Sequence, residues 1–144
     1  MKKSTHMGTN DENDFQARER QLREQIRRMH DEELAREMQS DGAPLPPWRK
    51  HPQLKRYSMG WRMGYGESYM DVWRHWAKAR SREELIEYFR RYAPVPVEWA
   101  DWVAYALKLD VDVHAPRSAV EQVAAVGLVE MDAWLKYWEE ENAE

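Results

Sequence analysis

Apolar residues recur at helical spacing through most of the chain. The first apolar stripe consists of Phe15, Leu22, Ile26 and Met29. Charged residues separate these positions, and the stripe shifts before it ends, so the pattern predicts one long amphipathic helix over residues 13–42 that stops at Gly42. The stripe is too short for a sustained heptad repeat, yet its apolar side needs a partner to be stable. We therefore predict that residues 14–40 pack on the rest of the chain or pair with a second copy in a homodimer.

The remaining segments divide into a polar beginning and a helical body. Residues 1–12 are polar without periodicity, which predicts a disordered leader. Residues 43–144 predict a helical core domain, with helices from Glu67, from Ser81, over residues 96–109 and from Ser118. The sequences Ser81–Glu84 and Ser118–Glu121 each have the spacing of a capping box. Gly127 either interrupts the last helix or lets another helix approach it closely.

No segment shows the alternating pattern of a strand. We therefore predict an all-α fold, a compact bundle of about five to seven helices with a long charged N-terminal helix. A proline-rich connector follows that helix and contains Pro44, Pro46, Pro47 and Pro52. Proline favours extended backbone, which makes the connector stiff, and Trp48 is expected to anchor it to the core. A short helix is predicted over residues 53–58. The apolar face of the helix that begins at Glu67 assigns Trp73 and Trp76 to the core.

Charge is unevenly distributed in a chain whose net charge is -4. Residues 1–42 hold 8 basic and 10 acidic side chains, residues 43–92 hold 11 and 5, and residues 93–144 hold 3 and 11. Five of the basic residues fall between Ala43 and Gly66, where there is no acid. Two interpretations follow: the basic middle docks on the acidic last third, or it faces an acidic partner.

We call residues 48–66 the basic aromatic arm. Aromatic residues and arginine are enriched at binding hot spots, which predicts that the arm binds an acidic protein surface, as an adaptor, inhibitor or immunity-type protein would. The predicted partner-binding residues are Trp48, Arg49, Lys50, Lys55, Arg56, Tyr57, Trp61, Arg62 and Tyr65. The same residue types bind phosphates and stack on bases, so a nucleic-acid partner is the alternative. The ordinary interpretation is that the tryptophans are core anchors and the bases decorate a loop.

Three other clusters have a chemical interpretation that we find weaker than a structural one. The turn at Arg62–Glu67 leads into a helix N-terminus that can receive an anion, which leaves an enzyme or anion-binding protein as a further alternative. Glu67, Asp71 and His75 share one helix face, and their oxygen and nitrogen atoms are of the kind that bind metal ions. The polar side chains of Asp110, Asp112 and His114 alternate with valines and would share one side of an extended segment. We predict no catalytic residue, no metal and no cofactor.

The composition of the chain indicates in which cellular compartment the protein works. The chain has no cysteine, which excludes disulfides and thiolate metal sites and fits a reducing compartment. The basic residues near the start are not followed by an apolar run, so no secretory signal is expected. The longest small or apolar run, Val123–Val129, is far shorter than the ~20 residues that a membrane helix requires. We therefore predict a cytoplasmic protein without a membrane partner.

Overall fold

The predicted all-α fold is confirmed. The structure, a computed structural model, describes residues 3–109, 112 and 114–143, with only the backbone for residues 3–9. Across these residues no strand is present, and the α-helices are α1 (Lys3–Glu37), α2 (Pro47–Lys50), α3 (Tyr65–Ala77), α4 (Arg82–Arg91), α5 (Ala100–Ala106), α6 (Pro116–Ala125) and α7 (Met131–Asn142). Two single-turn 3-10 helices, Met59–Trp61 and Val97–Trp99, complete the regular structure of this part of the chain.

The chain forms two compact units that meet in sequence between Glu37 and Met38. The first contains α1, whose exposed face carries ion pairs within the helix, such as Arg27 Nη2 to Glu24 Oε2 at 2.6 Å. The helix begins at Lys3, inside the segment predicted as a disordered leader. Residues 3–12 contain no proline, and each residue added to an existing helix brings another backbone hydrogen bond, so α1 can extend through this segment.

The long helix ends earlier than the sequence predicts. Met38 has left the helix and forms an isolated antiparallel bridge with Pro44. The amide of Gln39 donates to the carbonyl of Ala43 at 2.9 Å, and Gly42 lies in the turn between them with φ +82°. Gly42 therefore serves this turn and is not the helix cap that we predicted.

The proline-rich connector is part of the core. Pro44 and Pro46 are fully buried, and Pro47 begins the one-turn helix α2, where the fixed φ of proline suits the first helical position. The side chain of Trp48 packs against Phe89, with ring centroids 5.9 Å apart, so its predicted anchoring role is confirmed. The short helix predicted over residues 53–58 is wrong, because that segment forms consecutive hydrogen-bonded turns.

Aromatic rings from α2, α3, α4 and α5 form the centre of the second unit. Trp73 lies 4.8 Å from Trp102 between ring centroids, and Trp102 meets Trp99 edge to face at 5.4 Å. Such tilted and edge-to-face pairs are the favoured arrangement of aromatic rings. Trp73 and Trp76 are both buried, which confirms their predicted place in the core.

The two predicted capping boxes have different outcomes. Ser81 and Glu84 form the predicted capping box at the start of α4. The second capping box is wrong, because α6 already begins at Pro116 and Ser118 lies inside it. Gly127, with φ +80°, separates α6 from α7 and so interrupts the predicted single helix. Their facing side chains pack into one cluster with the start of α5, formed by Ala100, Val120 and Trp134.

Candidate functional site

The basic aromatic arm is folded around the indole of Trp61. The indole Nε1 donates to the carbonyl of Lys55 at 2.9 Å, and the Ser58 hydroxyl caps the following 3-10 turn by accepting from the amide of Gly60 at 3.1 Å. Gly64 precedes α3 with φ +78° and ψ -148°, a conformation that essentially only glycine adopts. The sequence therefore produces a shaped arm whose turns fix its side chains.

Two of the predicted partner-binding residues are covered by the protein itself. Trp48 and Trp61 are only 8% and 9% exposed. The ring of Trp61 meets Trp99 edge to face at 5.3 Å, and Trp48 lies 5.6 Å from the same ring. These two indoles fix the arm to the core, and they leave little surface for a partner.

Three of the arm's five cations lie over aromatic rings of the same protein. The guanidinium of Arg49 is 5.7 Å from the Tyr92 ring centroid, and the ammonium of Lys50 is 5.5 Å from that of Tyr69. The guanidinium of Arg56 is 4.7 Å from the ring of its neighbour Tyr57. Cation–π contacts of this kind hold the cations against the surface.

Arg56 and Tyr57 also join the arm to the acidic last third of the chain. Arg56 Nε lies 3.8 Å from Asp101 Oδ1, and its backbone amide donates to Glu98 Oε2 at 3.5 Å. The Tyr57 hydroxyl donates to Asp101 Oδ2 at 3.0 Å. Burial and the carboxylate of Asp101 together raise the pKa of Tyr57 to about 12. Part of the charge asymmetry is therefore neutralised inside the molecule.

The remaining predicted residues, Lys55, Arg62 and Tyr65, are exposed. Tyr65 is nevertheless held in place, because its hydroxyl accepts from Gln53 Nε2 at 3.2 Å and its ring lies 4.6 Å from that of His51. Neither Lys55 nor Arg62 forms an ion pair with a carboxylate in the part of the chain that the structure describes. Of the arm's cations, these two remain available to a partner.

Two neighbouring cavities open beside the arm and have Arg56, Arg74 and Trp102 in common. The larger, of about 460 Å³, is lined by Arg56, Trp73, Arg74, Ala77, Lys78, Trp102, Tyr105, Ala106 and Lys108. The smaller, of about 170 Å³, is lined by Arg56, Tyr57, Ser58, Trp61, Arg62, Met70, Arg74, Trp99 and Trp102. We call the two together the cationic groove. No carboxylate lines either cavity, whereas five cations do.

Sequence reasoning missed three of these cations, Arg74, Lys78 and Lys108. Arg74 and Lys78 lie near the end of α3, and neither is ion-paired with a described residue. Elsewhere in this unit arginines pair with acids, for example Arg80 with Glu84 at 3.6 Å and Arg91 with Asp41 at 3.4 Å. A usable signal was present, since Arg74 and Lys78 are four residues apart and share a helix face, but helix-dipole balance explained them without a site.

The other candidate clusters gain no support from the geometry. Glu67 and Asp71 are exposed on α3. Asp112 Oδ1 accepts from the backbone amide of His114 at 2.8 Å, which is a local turn, and Asp110 lies outside the described residues. Among the residues that were placed, no three His, Cys, Asp or Glu side chains are grouped to hold a metal ion. Of the described residues in these alternative clusters, Arg62 alone lines the cationic groove.

None of the helices in the described ranges combines the length and the apolar character needed to cross a membrane. The sequence matches no protein-family model, and no significant match was found among curated proteins or solved structures.

Proposed function

We propose that this protein is a small interaction module that binds an acidic protein partner through the cationic groove and the adjoining exposed cations of the arm. The observation that carries the proposal is the lining of the groove, which has five cations and no carboxylate in a chain of net charge -4. Arg62, Arg74 and Lys78 are exposed there without an ion-pair partner in the described part of the chain. An anionic surface would supply the missing partners. A cytoplasmic setting belongs to the same proposal and is supported by the absence of cysteine.

An acidic protein is favoured over a nucleic acid by the state of the tryptophans. Binding of single strands relies on bases that stack on exposed aromatic faces. Trp61, Trp99 and Trp102 are buried, and they pack edge to face on one another. Little of their surface is therefore left for stacked bases, whereas the nearby cations Arg62, Arg74 and Lys78 are exposed.

The test measures the binding of a fluorescein-labelled peptide of alternating glutamate and serine by fluorescence polarisation at low salt. We expect saturable binding that weakens as salt is added, because exposed charges are screened. The variant Arg62→Glu/Arg74→Glu/Lys78→Glu should lose roughly tenfold or more in affinity, since it reverses the sign of the groove. The protein's overall negative charge opposes non-specific attraction of this peptide, which makes a positive result informative.

The matched control carries the same change in net charge away from the groove, as Arg90→Glu/Arg117→Glu/Lys136→Glu. Its affinity should stay close to that of the wild type, and a neutral glycine–serine peptide should not bind to either. Absence of binding by the wild type at low salt, or an equal loss in both triple variants, would overturn the proposal.

A further inference from the structure

The larger cavity of the cationic groove has two chemically different zones. Trp73, Ala77 and Trp102 supply buried apolar lining. Its charged lining consists of Arg56 and three exposed cations, which are Arg74 on α3, Lys78 directly after α3, and Lys108 after α5. A volume of about 460 Å³ is within the range of pockets that hold a small organic group, and far exceeds what an ion alone requires.

Lys108 lies in a left-handed turn directly after α5. It has φ +60°, a conformation that is uncommon for any residue but glycine, and it is the one non-glycine residue with positive φ in the described ranges. Arg82 fixes this turn by donating from Nη2 to the Lys108 carbonyl at 2.8 Å, and the Lys108 ammonium donates to the carbonyl of Arg80 at 2.9 Å. The amide of Leu109 donates to the carbonyl of Ala104 at 3.2 Å, which completes the turn that ends α5. Lys108 thus brings a cation to the lining of the cavity at a position where glycine would be the easier residue.

We infer that the larger cavity receives one aromatic or large aliphatic side chain from an acidic segment of the partner protein, with flanking carboxylates meeting Arg74, Lys78 and Lys108. This inference rests on the proposed function and specifies which part of the partner occupies the cavity. The positive charge of the lining favours an anion. The buried apolar lining favours an apolar group, because binding removes that group from water. A peptide segment can carry both groups on neighbouring residues. Hot spots of this form, an anchor side chain in a pocket surrounded by polar contacts, carry most of the affinity of many interfaces.

The experiment compares two labelled peptides, the alternating glutamate–serine peptide and the same peptide with one central phenylalanine. For the wild type we expect the phenylalanine to increase affinity by roughly tenfold or more, since burial of such a side chain is worth at least one decade. Labelling alanine methyl groups with carbon-13 should show shifts at Ala77 and Ala106 only with the phenylalanine peptide. The variant Ala106→Phe, which fills the cavity, should bind both peptides equally and as weakly as the wild type binds the acid-only peptide.

The control variant Ala133→Phe places the same added volume on the exposed face of α7 and should keep the preference for phenylalanine. Near-ultraviolet circular dichroism confirms that each variant retains its aromatic core. If the acid-only peptide binds and phenylalanine adds nothing, the inference is overturned and the proposed function stands. If neither peptide binds, the proposed function is overturned as well. The inference is also overturned if free 3-phenylpropionate or a single-stranded oligonucleotide binds at least as tightly as the phenylalanine peptide. That ligand would then replace the acidic segment as the occupant.

Discussion

The hydroxyl of Tyr88 donates a hydrogen bond to the carbonyl of Pro44 at 2.7 Å, across 44 positions of the sequence. The same hydroxyl accepts from the indole Nε1 of Trp73 at 3.0 Å. One fully buried phenol thus joins the proline-rich connector, α3 and α4. Burial raises the pKa of Tyr88 far above its usual value.

Tyr88→Phe should therefore destabilise the fold. Removal of the hydroxyl leaves the Trp73 indole and the Pro44 carbonyl buried without this partner, which costs about 1–3 kcal/mol. Urea denaturation followed by tryptophan fluorescence measures the change in the free energy of unfolding. Tyr105→Phe, at an exposed tyrosine, is the control and should change stability little. Equal stability of the two variants would contradict a structural role for the Tyr88 hydroxyl.

Gly66→Ala should destabilise the arm more than an ordinary glycine substitution does. A Cβ at position 66 would lie 2.0 Å from the carbonyl oxygen of Gly60, a backbone atom that cannot rotate away. We expect a cost of about 1–3 kcal/mol or more, in the range of overpacked cores. Gly42→Ala is the control, because nothing lies within 4 Å of its added Cβ and only its positive φ opposes the change. Thermal unfolding of both variants tests the order, and a larger loss at position 42 would contradict it.

The phenol of Tyr57 should lose its proton at a higher pH than an ordinary tyrosine does, and this pH should depend on Asp101. Its pKa rises from 10.0 to about 12 on folding, so the protonated phenol favours the folded state. This contribution is present below pH 10, and it is lost as the pH rises from about 10 to about 12. Chemical shifts of carbon-13-labelled tyrosine should show the late titration, and Asp101→Asn should lower the pKa because it removes the negative charge. An unchanged pKa in Asp101→Asn would show that the carboxylate is not a cause.

Lys108→Gly should separate stability from binding. Glycine removes the cost of roughly 1–2 kcal/mol that a side chain brings to the left-handed conformation, and its greater loss of chain entropy on folding offsets about half of this gain. The free energy of unfolding should therefore increase by about 0.5–1 kcal/mol. Affinity for the phenylalanine-containing acidic peptide should fall, because one cation of the groove is lost. Denaturation and fluorescence polarisation on the same samples measure the two effects. If Lys108→Gly is more stable and binds the peptide as tightly as the wild type does, Lys108 has no part in binding at the groove.

The homodimer predicted from α1 remains a separate prediction. Phe15, Leu22, Ile26 and Met29 are exposed on the helix, with Leu22 57% exposed. We expect the full chain to associate as its concentration rises, because an apolar stripe of this kind is buried in a pair of helices. Light scattering after size-exclusion chromatography measures the mass. Leu22→Glu/Ile26→Glu should shift the chain to a monomer, whereas Gln16→Glu/Gln21→Glu, beside the stripe, should not. A wild-type monomer at high concentration would contradict the prediction.

Prediction from sequence succeeded where the signal is local. The period of apolar residues in α3 identified Trp73 and Trp76 as core, and the spacing of Ser81 and Glu84 identified the start of α4. Both signals depend on neighbours within a few turns of one helix. The same rule applied to Ser118 failed, because Pro116 two residues earlier is a stronger start signal.

The candidate site required contacts between distant positions. The sequence alone determined that the chain is helical, that its cations concentrate in one arm, and that aromatic residues accompany them. Only the tertiary structure decided which cations remain available. Asp101, some 45 positions away, pairs with Arg56, while Arg74 and Lys78 on α3 join Arg62 at the groove. Charge pairing and burial are set by distance in space, and that distance is fixed by the packing of the whole core around Trp61, Trp99 and Trp102.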